Sequence, residues 1–203
     1  MPRPLSRHTR RAAAALRAAG ALLALAAAAC SDPFSVEADF DTVESVVTLR
    51  ALTGTPLELP LALLVAPVPQ VVRPASDFVF DLAFDLDAAG AAQLYPVDVV
   101  ARPSVIAGRR VGLQKITGRS YDEVTRAPDG GYDFSDPMPV AVGDVIVVQA
   151  IGHPSCLTSF FSTLVFAKLR IEAIDPAART MSVRVLVDPN CGFRGFESGT
   201  PSR

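Results

Sequence analysis

Asp81, Asp85 and Asp87, with Asp77 just ahead of them, are the densest set of chemically capable side chains in the sequence. Alternate residues of an extended strand share a face and stand about 7 Å apart, so these aspartates would form one carboxylate row. Carboxylates about 5–9 Å apart suit glycoside hydrolysis, with one acid protonating the leaving oxygen and the other attacking or activating water. Calcium is the other chemistry such a row invites at Asp81, Asp85 and Asp87. The ion would need further oxygen ligands from another loop, and the D-x-D-x-D-G loop is absent. The plainer expectation is a solvated strand face whose charges discourage edge pairing.

A second cluster is His153-Pro154-Ser155-Cys156, which sets an imidazole three residues from a thiol. A nucleophilic cysteine needs a nearby base, but the motifs around papain-like and caspase-like cysteines are missing. Nucleophilic serine chemistry has no G-x-S-x-G, and His153 is the only imidazole after residue 30. His153 is therefore expected as a loop histidine or a hydrogen-bonded turn partner. Phosphate loops and dinucleotide fingerprints are absent, and Gly108-Arg109-Arg110 is too short for a nucleic-acid patch. Tyr95, Tyr121 and Tyr132 could line a ligand surface. The chain has no tryptophan, the largest stacking platform. No catalytic residue and no cofactor are expected.

The amino terminus carries a different kind of chemistry. Arg3, Arg7, Arg10, Arg11 and Arg17 precede the uncharged residues 18–29, which end in four alanines before Cys30. A basic stretch, a short apolar stretch and small residues is the layout of a secretory signal. About 12 apolar residues fall short of the roughly 20 needed to span a bilayer as a helix. Leu25-Ala26-Ala27-Ala28-Ala29-Cys30 resembles the lipobox of bacterial lipoproteins, with Ala27 standing where leucine is usual. The resemblance implies diacylation of the Cys30 thiol, cleavage just before it, and in many members acylation of the new amino terminus. Ser31 in the next position goes with the outer membrane in lipoproteins of double-membraned bacteria. Two or three acyl chains make a stable anchor where one is marginal.

The whole chain has a net charge of −2, but all five leader arginines lie before Cys30 and no acid does. Their removal leaves 14 basic against 21 acidic side chains, a net of −7. An acidic domain argues against a nucleic-acid partner and against electrostatic docking on anionic lipid.

With Cys30 lipidated, Cys156 and Cys191 are an even pair in an oxidising compartment, and a disulfide is the leading expectation. It would close a loop of about 35 residues, worth roughly 4 kcal/mol in the chain-entropy model. A metal-bound or reactive thiol and two free thiols are the alternatives. Zinc has few ligands available, with one histidine and no C-x-x-C.

The elements that must position these residues read as strands. Phe78, Phe80, Leu82, Phe84 and Leu86 alternate with Val79, Asp81, Ala83, Asp85 and Asp87, a period of two over ten residues. Val43 to Leu52 is β-branched and ends at a Thr-Gly-Thr-Pro turn. Leu57 to Ala66 carries Pro60 and is expected at a sheet edge, resumed by Val71-Val72. Ala91 to Ala101 and Val105 to Ile116 are further strands, and Val145 to Ile151 is of central type. Leu164–Ile174 and Met181–Val187 make the best hairpin, with Phe166 as the one apolar residue on its polar face. Ser120-Tyr121-Asp122-Glu123 fits a capping box and predicts a helix of about two turns.

These elements predict an all-β fold, an antiparallel sandwich or barrel, after an N-terminal helical signal segment; α/β is the minor alternative. The expected organisation is a signal peptide over 1–29, the lipidated cysteine and tether over 30–42, the β-domain over 43–194 and a flexible tail over 195–203. Gly143-Asp144-Val145-Ile146-Val147-Val148 and Phe166-Ala167-Lys168-Leu169-Arg170-Ile171 resemble C-terminal strands of HmuY-type haem-binding lipoproteins. That family holds haem with two histidines; one is present after residue 30, so the resemblance extends to β architecture alone. The expected function is a non-enzymatic binding or structural domain in the cell envelope, facing the periplasm or the surface. It would be anchored to a membrane by lipid and serve an unknown envelope protein or ligand. The alternative is a carboxylate-dependent, calcium-assisted envelope hydrolase.

Overall fold

The computed structural model describes residues 38–74, 78–101, 108–159 and 162–198. The signal segment, Cys30, most of the tether and Asp77 lie outside the described residues. No helix among the described residues is long and apolar enough to cross a membrane.

Two five-stranded antiparallel sheets pack together as a β-sandwich. The first follows the order β1-β10-β9-β8-β6, where β1 is Val43–Arg50, β6 Arg110–Ile116, β8 Val145–Ile151, β9 Val165–Asp175 and β10 Thr180–Asp188. The second follows β3-β2-β4-β5-β7, where β2 is Ala62–Leu64, β3 Gln70–Val72, β4 Leu82–Leu86, β5 Ala92–Pro96 and β7 Met138–Pro139. At one corner Leu52 N donates to Phe84 O at 2.9 Å, tying the end of β1 to β4.

Alternation explains the first sheet. Met181, Val183, Val185 and Val187 of β10 and Val165, Ala167, Leu169 and Ile171 of β9 turn inward to the main core. The β9–β10 hairpin forms as expected. Asp175 accepts hydrogen bonds from Ala177 N and Ala178 N in its turn, at 2.9 and 2.8 Å.

The outer face of this sheet departs from expectation. Val145, Val147 and Phe166 join Tyr121, Val124, Ala127 and Phe196 in a second apolar cluster. The 121–127 segment and the carboxyl-terminal segment cover that face. Lys168, on the polar face of the hairpin by its alternation, is buried there. Its ammonium donates to Tyr121 O and Val124 O at 2.9 and 3.1 Å and lies 4.3 Å from the Tyr121 ring centre. Burial pushes its pKa down.

Four further expectations change. Residues 195–198, expected in a flexible tail, belong to the body: Phe196 is buried and its N–H donates to Thr125 O at 2.8 Å. The capping-box contacts form, with Glu123 Oε2 accepting from Ser120 N and Oγ at 2.7 and 2.8 Å, but they close a turn. Val124 is drawn into the second cluster instead of continuing a helix. The one described α-helical turn, α1 (Val97–Val100), replaces the end of the strand expected from Ala91 to Ala101. Finally, β2 lies between β3 and β4, so β3 takes the edge expected of Leu57 to Ala66.

Candidate functional site

Asp81 stands just ahead of β4, where Asp81 N donates to Leu63 O and Val97 N donates to Asp81 O, at 2.8 and 2.9 Å. Its side chain is fully buried, which corrects the reading of a solvated carboxylate face. Both faces of β4 are covered, since Leu82, Ala83, Phe84 and Asp85 are buried in succession. A buried carboxylate requires partners, and they come from far along the chain. Oδ1 accepts from Arg109 Nη2 at 2.8 Å. Oδ2 accepts from Val65 N at 2.8 Å and meets His153 Nε2 at 3.3 Å. Burial alone would raise this carboxyl; the His153 contact, the Arg109 guanidinium and the Val65 N–H outweigh it and hold the pKa below its ordinary value.

The other two carboxylates of the row are engaged separately. Asp85 accepts from Thr53 N, Thr53 Oγ1 and Arg179 Nη2. Asp87 caps the β4–β5 turn, accepting from Ala89 N and Ala91 N at 2.8 Å each. That pattern lowers its carboxyl pKa, the Ala91 N–H contributing most. Asp81, Asp85 and Asp87 therefore do not converge on a calcium ion. Among the described residues no group of three His, Cys, Asp or Glu side chains is placed to hold a metal.

His153 follows β8. Gly152 lets the chain turn there at φ +64°, and a Cβ on it would stand 2.5 Å from Gly108 O. The imidazole is buried beneath the single 3₁₀ turn Pro154–Cys156 and caps it: Nδ1 accepts from Ser155 N at 3.2 Å and lies 2.7 Å from Ser155 Oγ. The backbone N–H can only donate, so Nδ1 carries the lone pair. In the neutral ring the proton is then on Nε2, facing Asp81. The expectation of a hydrogen-bonded turn partner is met, and the ring's second contact is with the buried acid.

Cys156 closes that turn and is joined to Cys191 by the expected disulfide, with Cα atoms 5.7 Å apart. The bridge ties the 3₁₀ turn to the turn after β10. There Asn190 Nδ2 donates to Phe40 O at 2.7 Å and to Asp188 Oδ1 at 2.7 Å.

These segments wall a mainly apolar cleft of about 500 Å³ lined by Phe40, Asp41, Val43, Pro67, Val68, Ser155 and Pro189. Phe40 and Val68 are at least half exposed in it. Ser155 is exposed on its wall, with His153 and Asp81 successively behind. A cleft of this size with few polar groups is the form that small-molecule sites take.

Sequence reasoning set His153 beside Cys156 but did not bring Asp81 to them. It missed Arg109, read only as part of a short basic run, and it missed Ser155, Phe40 and Val68. The one local signal was the His153-x-Ser155 spacing ahead of a half-cystine. No protein-family model, curated protein or solved structure matches this chain.

Proposed function

We propose that the chain is an exported, lipid-anchored envelope domain that binds a small apolar molecule in the cleft at Phe40, Val43 and Val68. The observation that carries this is the cleft itself. Its volume falls within the roughly 300–1,000 Å³ of ligand pockets. Its walls are cross-linked by Cys156–Cys191 and by the Asn190–Phe40 hydrogen bonds, so little ordering remains to be done on binding.

The compartment follows from the leader, the Cys30 lipobox resemblance and a disulfide that persists in oxidising surroundings. No described pair of free carboxylates favours the hydrolase reading built on the Asp81 row.

Two measurements test this. Intact mass of protein from the producing cell should show loss of residues 1–29 and acyl groups on Cys30. A fluorescent apolar probe, N-phenyl-1-naphthylamine, should bind saturably and be lost in Val68→Asp. Absence of saturable binding, or binding untouched by Val68→Asp, would defeat the cleft assignment.

A further inference from the structure

We propose that Ser155 is a nucleophile which His153 and Asp81 serve, and that it cleaves esters whose acyl chain lies in the Phe40–Val68 cleft. The proposal rests on the cleft being a ligand site, and adds a reaction to it. Three observations converge. Ser155 is an exposed residue that lines the cleft, while the base and acid behind it are buried. Ser155 Oγ is 2.7 Å from His153 Nδ1, within reach for proton abstraction. His153 Nε2 is 3.3 Å from Asp81 Oδ2, and Asp81 is locked in place by Arg109 and Val65.

A catalytic base must be held in one tautomer with its lone pair toward the nucleophile. The Ser155 N–H enforces that tautomer, since Nδ1 must be the acceptor. Nδ1 thus takes the role that a base nitrogen plays in any serine–histidine pair, and Nε2–H points to the acid. Such constellations are recognised by geometry and role and recur on unrelated folds. The absence of G-x-S-x-G therefore does not decide the matter.

The step balances as an acyl transfer. Ser155 Oγ attacks the ester carbonyl carbon, and its proton passes to His153 Nδ1. The C–O bond to the alcohol breaks, and the proton leaves with the alcohol. The product is an ester of Ser155. Water, deprotonated by the same nitrogen, then releases the carboxylic acid and restores the hydroxyl. No oxidant, metal or other co-reactant is required.

A structural cap and a catalytic base differ in what replaces them. Asparagine is a good capping residue, so His153→Asn can keep the turn while removing the base. The disulfide-bonded, exported protein is treated with a fluorophosphonate and, separately, with p-nitrophenyl octanoate; labelling sites are read by peptide mass. The expected result is a single adduct on Ser155 and steady release of nitrophenolate. Ser155→Ala should abolish both. His153→Asn, shown by circular dichroism to be folded, should lose at least about 100-fold in rate, in line with a general base's contribution. No adduct on the wild type, an adduct elsewhere, or His153→Asn turning over at the wild-type rate overturns the proposal. Probe binding without any adduct removes the nucleophile and leaves the cleft. An adduct on Ser155 without probe binding supports the nucleophile and removes the apolar occupant.

Discussion

Asn190 and Phe40 grip each other through the whole amide: Nδ2 donates to Phe40 O at 2.7 Å and Phe40 N donates to Asn190 Oδ1 at 3.0 Å. The side chain behaves like one more strand residue and holds the segment ahead of β1 against the turn after β10. Phe40 is thereby fixed as a wall of the cleft although its own ring is largely exposed. Asn190→Ala removes both bonds and a third to Asp188. It should cost about 1–3 kcal/mol, as buried polar groups lose their partners. N-phenyl-1-naphthylamine should also bind more weakly to it; urea unfolding and a probe titration check the two effects.

Gly152 and Gly112 make a matched pair of tests. A Cβ at Gly152 meets backbone, Gly108 O at 2.5 Å, and φ is +64°. Gly152→Ala should therefore cost about 2 kcal/mol or more and disturb His153. The nearest atoms that a Cβ at Gly112 meets belong to the Phe134 ring, at 2.7 Å. That ring can swing away, giving up its contact with the Arg110 guanidinium at 4.6 Å. Gly112→Ala should then be the milder change, about 1 kcal/mol. Equal unfolding midpoints for the two variants would contradict this.

Acid acts on Asp81 and Asp188 with opposite signs. The Asp81 carboxyl is held below its ordinary value near 3.8. Its contribution is complete above that value and is lost as pH falls through the lower folded-state value. Burial is the largest influence on Asp188 and raises its carboxyl. Its charge therefore opposes folding near neutrality, and the penalty is relieved as pH falls through the raised value. In urea titrations from pH 7 to pH 2, Asp188→Asn should be more stable than wild type near pH 7 and lose that advantage in acid. Asp81→Asn leaves Arg109 buried without its counter-charge, at a cost of about 3–5 kcal/mol near neutral pH. Its deficit should shrink only as pH falls through the lowered folded-state value of wild-type Asp81.

Reduction of Cys156–Cys191 reopens a loop that spans 35 residues. The chain-entropy model puts the loss at roughly 4 kcal/mol. The first structural change should be at the cleft, since both turns that the bridge joins contribute walls to it. Unfolding with and without dithiothreitol measures the first effect, and probe binding under the same conditions the second.

The strands were legible because their signal is local. A period of two, punctuated by Gly, Pro and Asp turns, located the β9–β10 hairpin and the turn after β4, and the same alternation marked β10's inward valines. Cysteine parity in a chain with an export leader likewise pointed to the single bridge. Burial of a polar group is another matter. Asp81 and Lys168 sit in alternating patterns that read as one wet face, yet both are covered. Each is neutralised or satisfied by groups remote in sequence: Arg109 and His153, 28 and 72 positions from Asp81, and the carbonyls of Tyr121 and Val124, 47 and 44 positions from Lys168. Parity along one strand says which side chains share a face. What covers that face depends on which loops and sheets fold over it, and that is settled by packing across the whole molecule. The cleft is of the same kind, since Phe40, Val68, Ser155 and Pro189 have no mutual pattern in the chain and meet only where four separate segments converge.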